Sequence, residues 1–307
     1  MSRRWRSPTT VAVSLAATAL LALLLAGRRH EFAAAASSAA PGLLALAVLG
    51  QVVALLARSE AWHLSIRAAG GTVERRALYR ASSMQVLGSV LSGQLGVAAR
   101  IAALRRSSGT RCPQVATLIA AEFPILAVEA TLVGLASFTL IGPLGLPWWA
   151  PLIGLATVTG ASTGLRRLAL RTGHALWKGL AVLRSRRGGS RVVAFVLVAV
   201  LAQVARNWLL LRAVGVDASF LDAIAVLIAV VTLSQLPVGP GLGAAAAVLI
   251  LGRNGVAAAA AAGVLMTATG TAGGMCFAAW AGADRLLSAA RAVRAAVPIP
   301  AVARPEA

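Results

Sequence analysis

Acidic residues are scarce: nine Asp and Glu stand against 29 Lys and Arg, and charged residues of both signs make up only 12% of the 307. So thin a polar complement leaves no soluble folded region. A nucleic-acid partner, which a net charge of +20 would otherwise suggest, needs a soluble basic face interleaved with aromatics, and aromatics amount to 5%. There are two cysteines, Cys112 in a basic stretch and Cys276 inside an apolar run, so no disulfide framework is expected. The three histidines, His30, His63 and His174, fall outside the apolar runs. No metal-ligand spacing, nucleophile elbow or phosphate-binding loop with a lysine is present, which argues against an enzyme, a metal or a cofactor.

What is abundant is apolar. Hydrophobic residues make up 59% of the chain and the mean hydropathy is +0.82, the composition of a polytopic membrane protein. The arginines lie between the apolar runs, as in cytoplasmic loops facing anionic lipid. The expected fold is all-α: a transmembrane helical bundle of about six full spans plus two re-entrant, broken hairpins in inverted orientation. The membrane domain is placed at 1–285, and a basic cytoplasmic tail at 286–307, ending Pro298-Ile299-Pro300, is expected to be disordered.

The longest uncharged stretch, Ala223 to Gly252, is interrupted by Leu236-Pro237-Val238-Gly239-Pro240-Gly241-Leu242-Gly243. One straight helix of that length would measure roughly 45 Å, well past a hydrocarbon core of roughly 30 Å. Pro237 and Pro240 lack backbone donors and disfavour helix in the residues before them, so the stretch must break there. Backbone groups freed by the break need protein or a wet cavity around them, and broken helices are where transporters bind their substrates. The alternative is a tight surface turn between two short spans.

Residues 81–99 are uncharged but polar, with Ser82, Ser83, Gln85, Ser89, Ser92 and Gln94 among glycines. Basic stretches lie on both sides. The segment 58–80 before it is net +3, from five arginines less Glu60 and Glu74, and Arg100, Arg105, Arg106 and Arg111 follow it. A hairpin that enters and leaves from the cytoplasm satisfies the positive-inside rule; an ordinary span that violates the rule is the alternative. Trp62 and Tyr79 are placed as interface aromatics would be.

The remaining spans are expected at about 9–27, 41–57, 115–141, 150–164, 192–211 and 256–281. The first is read as an uncleaved span starting in the cytoplasm rather than a signal peptide. Both termini are then cytoplasmic, in the cell membrane. Residues 165–191 are strongly basic, with leucines near one face, and are expected to form an amphipathic helix on the inner leaflet. Three full spans separate the hairpins, so the hairpins open to opposite sides, as in an inverted repeat.

Charge inside a span is costly and marks candidate function. Glu122 and Glu129 are seven apart, nearly on one helix face, and Arg206 lies beside Gln203 and Asn207. These groups either line a polar path for an anionic headgroup or form an ion pair between Arg206 and one glutamate that fixes packing. A further alternative is that Arg206 is shallow enough to snorkel outward. The sequence N–H groups after Gly241 suit a phosphate, and Arg100 supplies a complementary cation at the first hairpin.

The order of these segments, from about residue 10 to 285, resembles the transmembrane region of the lysylphosphatidylglycerol synthases, the flippase-like integral membrane family. One block is matched by Gly93-Gln94-Leu95-Gly96-Val97-Ala98-Ala99-Arg100-Ile101, followed by Glu122, and a second by Leu236–Gly243. The chain departs from the family at Val97, where an acid is common, and at Ala244–Ala246, where a glutamate usually follows, so mechanisms resting on those carboxylates are not carried over. The synthases' soluble aminoacyl-transferring domain is expected to be absent. The resemblance implies movement of a phospholipid or polyprenyl-linked anionic lipid between leaflets, with Arg100, Gly96, Glu122, Glu129, Arg206, Pro237, Pro240, Gly241 and Gly243 as substrate-binding candidates. Two alternatives stand: a non-catalytic membrane partner of a lipid-modifying or glycan-assembling enzyme, and a carrier of a small anionic solute. Expected partners are lipid headgroups, with a membrane enzyme or further copies of the chain also admitted.

Overall fold

The computed structural model describes residues 29–89, 93–108, 112–171, 175–234, 242–251 and 256–296. The described residues are helical, joined by turns. A short helix, α1 (Arg29–Ser37), precedes α2 (Pro41–Ala68), whose first residue is a proline at a position where the missing N–H has no intrahelical partner. α2 ends where Gly70 turns to a φ of +90°, with the Gly71 N–H donating to the Ile66 carbonyl. It was expected to leave the membrane at Ala57, but it runs eleven residues further. Ser59, Glu60, Trp62, His63 and Ile66 are buried along that extension. The segment 58–68 is therefore packed helix rather than loop.

The described residues of the segment 81–99 fall in two packed helices, α3 (Arg75–Ser89) and α4 (Gly93–Ser108), which begin before it and end after it. At 15 and 16 residues, each helix measures about 22–24 Å, short of a full hydrocarbon crossing. They cross closely because both are bare at the contact. A Cβ on Gly88 would come within 2.9 Å of the Gly96 Cα and the Leu95 carbonyl oxygen.

The next crossing is broken near its start. α5 (Val115–Ala120) and α6 (Phe123–Ala136) are separated by a turn at Ala121–Glu122, where Pro124 cannot donate to the carbonyl four residues back. A 3₁₀ turn (Ser137–Leu140) and α7 (Ile141–Leu144) carry the chain to Gly145, at a φ of +61°. α8 (Ala150–Arg171) follows, and then the strongly basic stretch. That stretch is not one amphipathic helix. A 3₁₀ segment (Ala175–Arg184) places Gly179, Leu180 and Val182 in the protein interior, with Gly179 against the break between α5 and α6. A Cβ there would meet the Ala121 nitrogen and the Thr117 oxygen at 2.6 Å.

α9 (Arg186–Ala213) makes the most extensive packing in the fold, against α2, through small and β-branched residues such as Ala54, Ala57, Ala199 and Val196. α10 (Phe220–Ser234) begins with a reciprocal cap: the Ser219 N–H donates to Asp222 Oδ2 at 2.8 Å, and the Asp222 N–H to Ser219 Oγ at 3.2 Å. α11 (Leu242–Leu251) packs against both α10 and α12 (Val256–Ala296). Of the tail expected at 286–307, residues 286–296 are helical and 297–307 lie outside the described residues.

Four described helical stretches are long and apolar enough to cross a membrane: Pro41–Ala68, Val115–Leu144, Arg186–Ala213 and Val256–Ser288. α8, at 22 residues, is long enough, but its threonines, glycines and terminal arginines leave it less apolar. The expected first span, 9–27, lies outside the described residues.

Candidate functional site

One face of α2 organises the site. Gln51, Leu55, Arg58 and Trp62 recur at spacings of four, three and four, within about 60° of one another around a helix at roughly 100° per residue. The three polar positions each meet a guanidinium, or supply one, over about 16 Å of helix axis.

At the lower end, Arg100 from α4 lies flat over the Trp62 ring, its guanidinium carbon 3.4 Å from the ring centroid. Its Nη1 donates to Gln85 Oε1 of α3 at 2.7 Å and sits 2.7 Å from Glu122 Oε1, in the break between α5 and α6. The glutamate contact is an ion pair outside hydrogen-bond alignment, since that oxygen has no hydrogen-bond partner among the described residues. Arg100 is 2% exposed, and its Nε and Nη2 are buried without partners among the described residues. A cation removed from water this completely costs several kcal/mol unless its charge is answered. Here one carboxylate, one amide and one π face answer it.

About one turn of α2 away, Arg58 donates from Nη1 to Glu129 Oε1 of α6, and the two side chains remain 32% and 25% exposed. Beyond it, Arg206 of α9 donates from Nη1 to Gln51 Oε1 and from Nη2 to Asn207 Oδ1 at 3.3 Å. Its Nε has no partner among the described residues, and no carboxylate pairs with it there. Bare positions on two neighbouring helices make room for it. A Cβ on Gly270 of α12 would lie 3.3 Å from Nη1, and one on Gly50 of α2 would lie 3.6 Å from the Arg206 Cβ.

The alternative of an ion pair between Arg206 and one glutamate is not formed among the described residues: Glu122 pairs with Arg100 and Glu129 with Arg58. Glu129 meets α2 through Arg58, whereas Glu122, in the break, meets Arg100 of α4. Gly96 is buried at the crossing of α3 and α4, a packing position. Gly243 is the second residue of α11, while Pro237, Pro240 and Gly241 lie outside the described residues.

Sequence reasoning missed Gln51 and Arg58 as site members and placed Trp62 and Tyr79 at an interface. Trp62 is fully buried beneath Arg100. Tyr79 donates its hydroxyl to Glu60, which also holds Arg75 Nε at 3.3 Å and faces His63 Nδ1 at 3.5 Å. Asp284 of α12 pairs with Arg76 at 3.0 Å and Arg80 at 2.7 Å, and Arg80 also donates to Ser288 Oγ at 2.6 Å. These two acids pin the base of α3 to α2 and to α12, which fixes the hairpin that carries Gln85. Outside the helices, burial pushes the Cys112 thiol up in pKa, against the lowering pull of Arg105. No group of three or more His, Cys, Asp or Glu side chains that could hold a metal occurs among the described residues.

No curated protein and no solved structure matches the chain. The family model for the lysylphosphatidylglycerol synthase TM region matches residues 10–279, and with nearly nine-tenths of its length so covered, the chain belongs to that family of membrane proteins.

Proposed function

We propose that this protein moves an anionic lipid, a phospholipid or a polyprenyl-linked lipid, between the leaflets of the cell membrane without carrying out a covalent reaction. The observation that carries the reading is Arg100: a guanidinium 2% exposed, backed by Trp62 and Glu122, with two nitrogens that have no partner among the described residues. A group so placed suits a phosphate oxygen, which would complete the hydrogen bonding that the protein leaves open.

Membership of the family supports the reading, as does the architecture. On this reading α3 and α4 form a re-entrant hairpin, each arm too short to cross, and α10 and α11 form a second, at 15 and 10 residues. The two open to opposite sides, in the manner of an inverted repeat, and the basic stretches put both termini in the cytoplasm. Exposed Leu, Val and Ile side chains such as Leu49, Ile153 and Leu201 face the acyl chains.

The test is reconstitution into liposomes with a fluorescent phosphatidylglycerol or polyprenyl phosphate, followed by quenching from one side. Protein-dependent loss of signal from the protected leaflet is expected. Folded protein that exchanges neither lipid overturns the reading and favours a non-transporting partner of a membrane enzyme.

A further inference from the structure

The face of α2 between Arg100 and Arg206 carries charge where a bilayer does not tolerate it. α2 has 28 residues and is about 42 Å long, so a hydrocarbon slab of roughly 30 Å can slide along it by only about 6 Å either way. Gln51 and Arg58 lie about 5 Å on either side of the helix midpoint. Wherever the slab is placed within the helix, both stay inside it. An ionised arginine at such depth costs about 3 kcal/mol even on the mildest insertion scales. Yet the Arg58 and Glu129 side chains are 32% and 25% exposed rather than sealed. The surface they open onto is therefore hydrated and not acyl chain.

Leu49 and Val53, 56% and 38% exposed, lie on the opposite side of the same helix, the side that lipid covers. The polar stripe thus faces a separate, wet space. Its charges are unevenly answered. Arg100 and Arg58 each have a glutamate, whereas among the described residues Arg206 has only the neutral acceptors of Gln51 and Asn207, with an unpartnered Nε.

We infer that Gln51, Leu55, Arg58 and Trp62 form one wall of a hydrated anion path, and that Arg206 with Gln51 and Asn207 is a second headgroup station, separate from the one at Arg100 and across the midpoint of α2 from it. The ligand is a phosphate-bearing anion, either a lipid headgroup or a soluble phosphate. The lipid form rests on the translocation reading above; the hydrated stripe does not. The station at Arg206 holds a passing phosphate through the unpartnered Nε and the two amide-bound nitrogens. Arg58 hands it across the middle by exchanging Glu129 for the phosphate.

The experiment places single cysteines in a Cys112→Ser, Cys276→Ser background and reconstitutes the full chain. Leu55→Cys and Gln51→Cys report on the stripe, and Leu49→Cys and Val53→Cys on the lipid face. An anionic, sulfonate-bearing methanethiosulfonate is expected to modify Leu55→Cys at least about tenfold faster than it modifies the lipid-face cysteines, and faster than a trimethylammonium reagent of the same size does. Adding Arg206→Gln, or the neutral pair Arg58→Gln with Glu129→Gln, should reduce that preference for the anion. Two variants are used so that a folding defect in one leaves the other to decide.

Protection by phosphatidylglycerol in the vesicle assigns the path to a lipid headgroup, and protection by inorganic phosphate in a neutral phosphatidylcholine vesicle assigns it to a soluble phosphate. Modification no faster than at Leu49→Cys, no preference for the anion, or protection by neither probe overturns the inference. If modification follows the expectation in vesicles that move no labelled lipid, the stripe stands and the translocation reading fails.

Discussion

Removing the Glu122 carboxylate should destabilise the protein more than any comparable change at a surface ion pair. In Glu122→Gln the Arg100 guanidinium stays 2% exposed, loses the only carboxylate within ion-pairing distance among the described residues, and keeps two unpartnered nitrogens. Breaking one side of a buried pair costs about 3–5 kcal/mol, because the remaining charge is stranded. Trp62 softens the loss, since a desolvated cation–π contact contributes about 2 kcal/mol whether or not Glu122 is charged. The lower end, about 3 kcal/mol, is therefore expected. Arg100→Met strands Glu122 instead. That side chain is 12% exposed and gains no aromatic support, so a loss of similar size follows. The double variant, Arg100→Met with Glu122→Gln, removes both charges and should cost less than the two singles together, with a coupling of about 1–3 kcal/mol. Reversible unfolding in mixed micelles by a denaturing detergent, read by tryptophan fluorescence, measures all four corners. Additive single effects, or a loss under about 1 kcal/mol in Glu122→Gln, would refute the sealed pair.

Three further perturbations test the packing around this pair. Gly88→Val places a Cβ within 2.9 Å of the Gly96 backbone, which cannot yield as a flexible side chain would, so the hairpin arms must separate at a cost of about 1–3 kcal/mol, read by faster proteolysis between α3 and α4. Asp284→Asn weakens the hold on Arg76 and Arg80, which are 57% and 26% exposed, so a loss of about 1 kcal/mol or less is expected, with faster hydrogen exchange in the first turns of α3 and none in α9. In a Cys276→Ser background, Cys112 should alkylate more slowly than a free thiol at neutral pH and accelerate as pH rises, because a raised pKa leaves less thiolate at any pH below it; a rate equal to that of free cysteine would contradict the burial.

Composition made the membrane class and the all-helical fold legible. Ser82, Gln85 and Gly88 between two arginine-rich stretches mark an interrupted segment, and two packed helices, α3 and α4, lie there. The end of α2 was not legible because a buried, paired charge and a solvated one look alike in one dimension. Arg58 and Glu60 resemble the start of a loop until Glu129 and Tyr79 are brought to them. Had the helix been carried past Ala57, the recurrence of Gln51, Arg58 and Trp62 on one face would have named the site. The partner of Arg100 depends on how α4 packs against the break at Glu122, a tertiary fact without local signature. Pro298 and Pro300 drew attention to the end of the chain, while the Ala-rich, Arg-containing run before them has high helix propensity and is helical to Ala296.

The graded compensation along α2 bears on rate as well as on affinity. A path conducts only when each station binds well enough to admit the passenger and weakly enough to release it. On the translocation reading, Arg206, which among the described residues is bound only to amides, admits an anion by displacing neutral acceptors, while Arg100 offers nitrogens without a partner among those residues. The middle station differs, because a phosphate at Arg58 must compete with Glu129. That competition returns the headgroup to the path: the carboxylate is covalently tethered beside Arg58 and recaptures it. Glu129→Gln removes the competitor and leaves a partly exposed arginine on the path with no carboxylate paired to it among the described residues. The variant should therefore hold phosphatidylglycerol more tightly, giving protection of Leu55→Cys at roughly tenfold lower lipid content for a differential of about 1.4 kcal/mol, and should move it more slowly. Tighter protection together with unchanged or faster movement would mean that release at Arg58 does not limit transport. Unchanged protection would mean that Glu129 does not compete for Arg58 at all, and the pair would then be a strut between α2 and α6 and not a gate.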